Sequence, residues 1–438
     1  MSEKDFVSRQ QKVDHSCNSQ NAIRSTYKEQ RECTRNEDFD LLMKNIESLQ
    51  WANKSQKHIV LEHIEKSFKR AEQSSKVANR QVTRGMNFFQ LTHNGEKCVD
   101  FAIYANKKFM GENGDEDDDR DNKSKTFEKF FLDSPKKATE VICMTKLDGE
   151  AGHFSIRKIG EEYYIIAGSK NVHMLYKTYS DIEKYKEPRF SVAKDVAKAV
   201  LDIFNKMDES KKRILEHFLN TTKITIVCEF LKPHHQHIVN LPHLEAPTMY
   251  GLMMTSLPGE EEEKTNNNSL TTIPPNACLE FFKFFGIQTP DYYSISVNEV
   301  KENIDKMRRF KQTEGLVLYY LIKDKTIGLT KVKTIWYIIV RAIREKIKCS
   351  VSYKKKKPLS DRINDIKTRL DEIQKWLGFC NECLDKWKDL GEAFSYRISE
   401  EIEKNKNIPK GDRPEFNEMW KDFVENHQEA RDFCCCDV

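Results

Sequence analysis

The stretch Val141-Ile-Cys-Met-Thr-Lys-Leu-Asp-Gly149 decides the fold that is expected for this chain. Five strand-forming residues lead directly into Lys146, and the Asp-Gly pair marks a turn before a second strand-like run, Gly152–Lys158. A lysine at a strand end, desolvated and near other cations, can lose its proton and attack a phosphorus atom. Taken alone, Lys146-Leu-Asp-Gly149 can also be a surface turn.

Later strand-like runs carry charged residues at or near their ends. Glu229 closes one run, Glu314 directly precedes another, and Lys331 and Lys333 lie two residues apart at the end of a third. Because side chains alternate along a strand, the two lysines are expected on the same face. The runs after Gly152–Lys158 are Tyr163–Ala167, Ile224–Phe230, Gly315–Leu321 and Ile327–Lys333.

Together these residues supply what phosphoryl transfer requires. Lys146 is the candidate nucleophile, Glu229 and Glu314 can hold a hydrated Mg²⁺, and the lysine pair can bind a phosphate. Each residue by itself is typical of a solvated surface. Their order on successive strands favours a nucleotidyl-transfer site.

The same series resembles motifs I, Ia, III, IV and V of the covalent nucleotidyltransferases. It is most similar to the branch that contains fungal tRNA ligases and phage RNA ligases, over residues 80–346. The best match is motif V, in which Lys331-Val-Lys333 is followed by Tyr337, Arg341 and Arg344. Other matching segments are Arg84-Gly85 with Phe88 and Phe89, Phe127–Phe131, Gly168–Asn171 and Cys228–Val239.

The resemblance implies an α+β fold. A nucleotidyltransferase (ATP-grasp-like ligase) domain with mixed antiparallel sheets is expected over residues 76–350, and an all-helical C-terminal domain over 358–438. Apolar residues at helical spacing from Ile363 to Leu377 support the second domain. A single helix is predicted at 192–219, and a polar, partly helical extension at 1–75.

The resemblance also implies an ATP-dependent RNA ligase that uses Mg²⁺, with Mn²⁺ as a substitute. Lys146 would become adenylylated, Lys331 and Lys333 would neutralise the α-phosphate, and burial together with neighbouring cations would lower the pKa of Lys146. Glu229 and Glu314 would hold the metal through its waters, or Glu229 the ribose. The implied nucleotide-binding residues are Arg84, Asp148, Gly149, Lys170, Glu229, Glu314, Lys331, Lys333 and Tyr337.

Arg341 and Arg344 are candidates for holding a phosphate on the RNA. With Tyr337 they are spaced to share one face of a helix, and two arginines on one face can grip a phosphate. The fungal relatives imply a 2′-phosphate at the 3′ end, whereas the phage relatives join plain 3′-hydroxyl ends. An exposed cationic stripe remains the alternative.

Two other classes of protein remain open. A DNA ligase or an mRNA-capping guanylyltransferase would share motifs I, III, IV and V, and an inactive RNA-binding relic would share them in decayed form. The tyrosine and paired arginines after motif V favour RNA ligation. No phosphate loop or paired H-x-[ST] motif occurs, so separate end-healing enzymes would prepare the RNA, either tRNA halves or broken strands.

Composition and charge indicate whether the protein is expected to span a membrane or to bind polyanions. Charged residues make up 32% of the 438 residues and no run of 18 apolar residues occurs, so no membrane span is expected. A monomer in the cytoplasm or nucleus is also expected. The net charge of +4 points to local rather than global binding of polyanions. Lys354–Lys357 either tracks a nucleic-acid backbone or joins domains.

The cysteines are interpreted as reduced thiols. Twelve cysteines without a secretory signal are typical of a reducing compartment. Cys380 and Cys383 have the spacing of half a zinc site, although ordinary helix packing is the alternative. Cys434–Cys436 lies where a lipidation box can occur, but Asp437 stands at a position that prefers an aliphatic residue.

Overall fold

The computed structural model describes residues 39–51, 54–73, 86–93, 96–106, 109–111, 127–233, 238–241, 243–257, 270–351, 358–404 and 416–427. The expectations for Arg84, for Lys354–Lys357 and for Cys434–Cys436 lie outside these residues. The chain divides into two compact units, Met1–Gln50 and Trp51–Val438. The described part of the first unit is a helix at 39–47, here α1.

The second unit contains two five-stranded sheets. The first sheet consists of β3 (Met110–Gly111), β4 (Glu140–Lys146), β10 (Tyr292–Ile295), β11 (Gly315–Ile322) and β12 (Lys325–Lys333). Its strand order is β10-β4-β11-β12-β3, and only β12 and β3 pair in parallel. The remaining pairs are antiparallel, as the resemblance implied.

The second sheet is entirely antiparallel. It consists of β5 (Glu150–Ile159), β6 (Glu162–Ser169), β7 (His173–Tyr176), β8 (Thr225–Leu231) and β9 (Thr248–Thr255), in the order β7-β6-β5-β8-β9. A separate hairpin is formed by β1 (Asn87–His93) and β2 (Glu96–Ile103). The buried Arg157 joins this hairpin to β5, because its guanidinium donates to the carbonyl oxygens of Phe101 and Ala102.

Helices cover one face of the second sheet. They are α3 (Tyr179–Glu183), α4 (Ser191–Lys206), α5 (Glu209–Thr222) and α6 (Pro275–Phe284). A further helix, α2 (Lys54–Gln73), packs on α5 and α6, and α7 (Val300–Arg308) precedes β11. In α4, buried apolar residues recur at helical spacing, and Phe204 packs edge-on against Phe154 of β5 at 6.1 Å between ring centroids. Short 3-10 turns lie at Phe127–Phe130, Pro135–Lys137, Pro188–Phe190 and Val297–Glu299.

The prediction of a single helix at 192–219 is wrong. The chain leaves the helical conformation at Met207, and Asp208 begins the next helix by accepting hydrogen bonds from the backbone N–H groups of Ser210 and Lys211. An N-cap aspartate of this kind starts a new helix even where apolar residues continue at helical spacing.

The C-terminal part is helical, as predicted. Within the predicted range 358–438 the structure describes α9 (Leu359–Leu377), α10 (Asn381–Lys404) and α11 (Phe416–Asn426), and α8 (Ile335–Val351) comes before this range, at the end of the segment predicted as the nucleotidyltransferase domain. Their apolar faces form one core, which also contains the side chains of Ile238 and Val239 from the segment after β8. The α+β fold with antiparallel sheets followed by a helical region is therefore confirmed.

Two smaller expectations are also resolved. Cys383 is disulfide-bonded, so the expectation that all cysteines are reduced is wrong at this position. Cys380 keeps a free thiol, and the described residues contain no cluster of His, Cys, Asp or Glu suited to a zinc ion. None of the described helices combines the length and the hydrophobicity that crossing a bilayer requires.

Candidate active site

The candidate site lies where the chain passes from the first sheet to the second. Lys146 ends β4, and the three residues Leu147, Asp148 and Gly149 lead directly into β5. On the far side of this crossing, Ala151 of β5 pairs with Glu229 of β8. The K-x-D-G sequence is therefore the link between the sheets and not an isolated surface turn.

Strand register brings the three site lysines to one face of the first sheet. Gly315 of β11 pairs with Lys146 on one side and with Lys333 on the other. Directly paired residues point to the same face, so Lys146 and Lys333 flank a position that has no side chain. Lys331, paired with Val317, shares this face because it lies two residues from Lys333.

Gly315 also allows Glu314 to reach the same face. Strict alternation along β11 would send Glu314 to the face opposite Lys146. Gly315 has a φ of +141°, a region that favours glycine, and a Cβ at this position would lie 2.0 Å from the Val332 carbonyl oxygen. This backbone conformation breaks the alternation, and Glu314 Oε2 lies 2.8 Å from Lys146 Nζ.

The Lys146–Glu314 ion pair is largely enclosed, with 22% of the lysine and 6% of the glutamate side chain exposed. Burial by itself lowers the pKa of Lys146, but Glu314, Glu229 and Asp148 together raise it above its ordinary value. The expectation that neighbouring cations lower the pKa of Lys146 is therefore wrong for this arrangement. The groups that dominate around its ammonium are carboxylates.

Glu229 is held beside the lysine by the backbone of the crossing. Its Oε1 accepts a hydrogen bond of 3.0 Å from the Gly149 N–H. A Cβ on Gly149 would lie 2.4 Å from the Phe230 carbonyl oxygen, so only glycine permits this approach. Burial raises the pKa of Glu229 to about 7, although Lys146 and the Gly149 N–H oppose the shift. A cation bound nearby would therefore stabilise the ionised form of Glu229.

The pKa of Glu314 is raised as well. Burial raises the pKa of its carboxyl, whereas the ammonium groups of Lys146 and Lys333 oppose the shift. Lys333 itself is only 4% exposed. The buried Glu314 and the half-buried Glu229, both with raised pKa values, provide hard oxygen ligands. Mg²⁺ typically takes one or two such ligands together with substrate phosphates and water. This donor set fits that ion, although no group of three or more potential ligands occurs among the described residues.

Asp148 and Tyr337, both implied nucleotide-binding residues, are bonded to each other. The Tyr337 hydroxyl donates to Asp148 Oδ1 at 2.9 Å, and both residues are buried. The N–H groups of Ile238 and Val239 donate to Asp148 Oδ2 at 2.7 and 2.9 Å. Asp148 thus fastens the sheet crossing to α8 and to the segment after β8.

The start of α8 is fixed by Thr334. Its hydroxyl accepts a hydrogen bond of 3.0 Å from the Tyr337 N–H, the contact expected of an N-cap residue. Its own N–H donates to the carbonyl oxygen of Glu314 at 3.0 Å. The helix that carries Tyr337 is therefore anchored on Glu314, the ion-pair partner of Lys146.

The remaining predicted residues lie at different depths. Lys170 is exposed in the turn after β6, where its charge helps to lower the pKa of His153. Arg341 and Arg344 lie on α8, and Arg344 Nη2 forms an ion pair of 2.6 Å with Glu345. Arg341 is close enough to Tyr337 to act on its hydroxyl.

A histidine pair on the second sheet, the buried His153 and the half-buried His173, was not predicted from the sequence. His153 Nδ1 and His173 Nε2 are 3.2 Å apart, and the Asn87 side chain contacts His173 Nδ1. Burial lowers the pKa of His153 to about 4 and that of His173 to about 3, so both rings are neutral at pH 7. The pair attaches hairpin β1–β2 to the face of the sheet that carries Glu229.

Tyr250 was also missed. It pairs with Glu229 across β8 and β9, which places a half-buried aromatic ring beside the carboxylate on the site face. Burial raises the pKa of its hydroxyl. The sequence around it, Thr248–Thr255, lacks the alternation that would have indicated a strand.

Several solved structures resemble this chain in part. An archaeal ATP-dependent RNA ligase matches with 12% identity and a TM-score of 0.41, over 78% of this chain and 76% of that chain. A Naegleria gruberi RNA ligase with a lysine-to-alanine substitution, bound to ATP and Mn, matches with 14% identity and a TM-score of 0.31. That match covers 47% of this chain and 52% of the other. The chain is thus similar to RNA ligases.

The Naegleria gruberi RNA ligase with PPi gives a comparable match, with 15% identity, a TM-score of 0.26, and coverage of 47% of this chain and 52% of that one. This chain therefore spans about half the length of the Naegleria structures. No protein-family profile and no curated protein matches the sequence.

Proposed function

We propose that this protein is an ATP-dependent RNA ligase of the covalent nucleotidyltransferase superfamily. The observation that carries the proposal is the enclosed Lys146, which ends a strand 2.8 Å from Glu314 and shares its sheet face with Lys331 and Lys333. A nucleophilic amine, two oxygen ligands and two phosphate-binding cations within one site are the requirements of nucleotidyl transfer.

In the first step, Lys146 Nζ attacks the α-phosphorus of ATP. A P–N bond forms, the bond between the α-phosphorus and the bridging oxygen breaks, and pyrophosphate leaves with the electron pair. The Lys146 ammonium gives up two of its three protons to solvent and keeps the third as the N–H of the phosphoramidate. Lys333 and Lys331 neutralise the α-phosphate charge. Glu314, once freed from the ion pair, and Glu229 would hold the metal ion, and Mg²⁺ or Mn²⁺ would supply the positive charge that screens the triphosphate.

In the second and third steps the AMP is passed on. The 5′-phosphate of an RNA attacks the lysyl-AMP and takes the AMP, and the 3′-hydroxyl of another RNA end then displaces it to form the phosphodiester bond. The RNA would be tRNA halves or broken strands prepared by separate end-healing enzymes, in the cytoplasm or nucleus. Arg341 and Arg344 are proposed to hold a phosphate of this RNA. Arg84 is proposed to orient the triphosphate, and Lys170 to bind the nucleotide.

Incubation with ATP or GTP labelled at the α-phosphate tests the proposal. We expect an acid-labile adduct with ATP and Mg²⁺, no adduct with GTP, and sealing of 5′-phosphate RNA but not of the matching DNA. Transfer of GMP would indicate a capping-type enzyme, and DNA sealing a DNA ligase. Absence of any adduct under all these conditions would contradict nucleotidyl transfer.

A further inference from the structure

A basic and aromatic segment begins at the last residue of α7 and leads towards β11. It consists of Arg308, Arg309, Phe310 and Lys311. Phe310 is 51% exposed, which places it among the most exposed large hydrophobic residues described, and Arg309 and Lys311 on either side are exposed as well. Between residues 300 and 312 the chain carries five Lys or Arg residues and only two acidic ones.

The first residue of this segment is fastened to the strand that carries Lys333, and the segment lies close to Glu314 along the chain. Arg308 Nη1 donates to the Lys333 carbonyl oxygen at 2.9 Å. Phe310 lies four residues before Glu314, so even a fully extended chain keeps their Cα atoms within roughly 14 Å. The Phe310 N–H donates to the Met307 carbonyl oxygen at 3.0 Å, which continues the turn of α7 and fixes the backbone at Phe310.

This combination fits a flexible nucleic-acid strand. Proteins that bind single-stranded nucleic acid combine cations that follow the phosphates with aromatic rings on which bases stack. A lone exposed aromatic residue needs no explanation. An exposed ring between two cations, held within a few nucleotides of an adenylylation site, has the chemistry of a stacking platform.

We propose that Arg308–Lys311 binds the single-stranded RNA next to the ends being joined. Phe310 stacks on a base, and Arg309 and Lys311 contact the phosphates on either side. This inference rests on the proposed RNA ligase function and adds to it the surface that receives the RNA.

Phe310→Ala in the full chain tests the stacking contact. Adduct formation with ATP needs no RNA and should match the wild type, whereas binding of a single-stranded oligoribonucleotide should fall by a factor of about 5 to 150, the range for loss of one stacked base. Phe310→Trp should restore binding, which a defect in folding would not allow. The matched control is Tyr179→Ala, which removes a 43% exposed ring on α3, at the second sheet.

Charge is tested separately with Arg309→Gln/Lys311→Gln. Loss of two phosphate contacts should reduce the slope of log affinity against log salt by about 1.4. Lys212→Gln/Arg213→Gln on α5 removes the same charge elsewhere and should leave the slope unchanged.

The outcomes separate this inference from the proposed function. If the wild type forms no adduct and seals no RNA, the proposed function fails. If the wild type seals RNA and Phe310→Ala binds and seals it equally well, only the RNA-binding surface is overturned. Loss of adduct formation in Phe310→Ala, without rescue by tryptophan, would assign the ring to folding and also overturn the inference.

Discussion

Glu314 Oε2 lies 2.8 Å from Lys146 Nζ, so the proposed nucleophile is held as one half of an enclosed ion pair. A protonated lysine cannot attack phosphorus, and the surrounding carboxylates raise the pKa of Lys146. Binding of a metal ion by those carboxylates would remove this influence. Activation of the lysine is therefore expected to depend on what occupies the site beside it.

The first prediction concerns Lys146 itself. Lys146→Ala should form no AMP adduct, and neither should Lys146→Arg, because a guanidinium stays protonated at any usable pH. Lys158→Ala, on the exposed part of β5, serves as the control and should label normally. Undiminished labelling of either Lys146 variant in the α-labelled ATP assay would show that another residue is the nucleophile.

The second prediction concerns Glu314. Glu314→Ala should lose RNA sealing at every Mg²⁺ concentration, because the carboxylate positions the ion as well as binding it. Rates are measured across a Mg²⁺ titration, with Glu302→Ala on α7 as a control for loss of an exposed carboxylate. Restoration of the wild-type rate by excess Mg²⁺ would make Glu314 a bystander.

The third prediction concerns the hydroxyl of Tyr337. Tyr337→Phe removes a donor from the buried Asp148 carboxylate, and the free energy of unfolding should fall by about 1.5–3 kcal/mol, the range for hydrogen bonds to charged groups. Tyr319→Phe is a matched control, since that buried hydroxyl donates only to the Met144 sulfur at 3.8 Å. Equal losses in chemical denaturation of the two variants would argue against a special role for the Asp148 bond.

The fourth prediction uses the histidine pair on the second sheet. Both pKa values are lowered in the folded protein, to about 4 for His153 and about 3 for His173, so the unfolded chain binds more protons below the ordinary value of 6.5. Stability should therefore be fully present above pH 6.5 and decline as pH falls towards 4, by on the order of 3 kcal/mol for His153 alone.

His153→Gln should flatten this dependence, measured as the free energy of unfolding between pH 7 and pH 4. His58→Gln, at an exposed position on α2, should leave the dependence unchanged. A wild-type protein whose stability stays constant over this range would contradict neutral rings.

The fifth prediction concerns Arg341 and Arg344. Arg341→Ala or Arg344→Ala should spare adduct formation and slow RNA sealing about ten- to hundredfold, as expected for loss of a charge-assisted contact of roughly 1.5–3 kcal/mol. Lys346→Ala removes a neighbouring cation of α8 and should have a smaller effect.

Substrates with and without a 2′-phosphate then show which phosphate is held. Equal loss on both points to a backbone phosphate, and loss confined to the 2′-phosphate substrate points to an end-specific pocket. Failure of the double variant at adduct formation would move both arginines to the ATP site.

The strands that carry the candidate site were predictable because each bears a chemical signature at its end. Lys146, Glu229 and Lys333 stand at or near strand ends in both the sequence and the structure. The edge strands β7 and β10 were missed because each has only four residues, too few to show alternation. The break at Asp208 was missed because apolar spacing continues across it.

Contacts made by the backbone could not be predicted. Asp148 is held by the N–H groups of Ile238 and Val239, 90 and 91 residues away, and backbone donors leave no mark in residue type. The pKa of Lys146 was misjudged for a related reason. The sequence motifs contain both cationic and carboxylate residues. Only the fold determines which of these residues lie nearest the Lys146 ammonium group.

The two residues that hold Asp148 by their backbone also place their side chains in the helical core, among residues of α8 to α11. A random mutagenesis screen for inactive protein should therefore return many substitutions in this remote core, for example at Trp387 or Phe394. Such mutants would resemble damage to the catalytic sequence, although they lie in helices that bear none of it. Inactivating substitutions would then fall in the helical core that supports Asp148 as well as around Lys146.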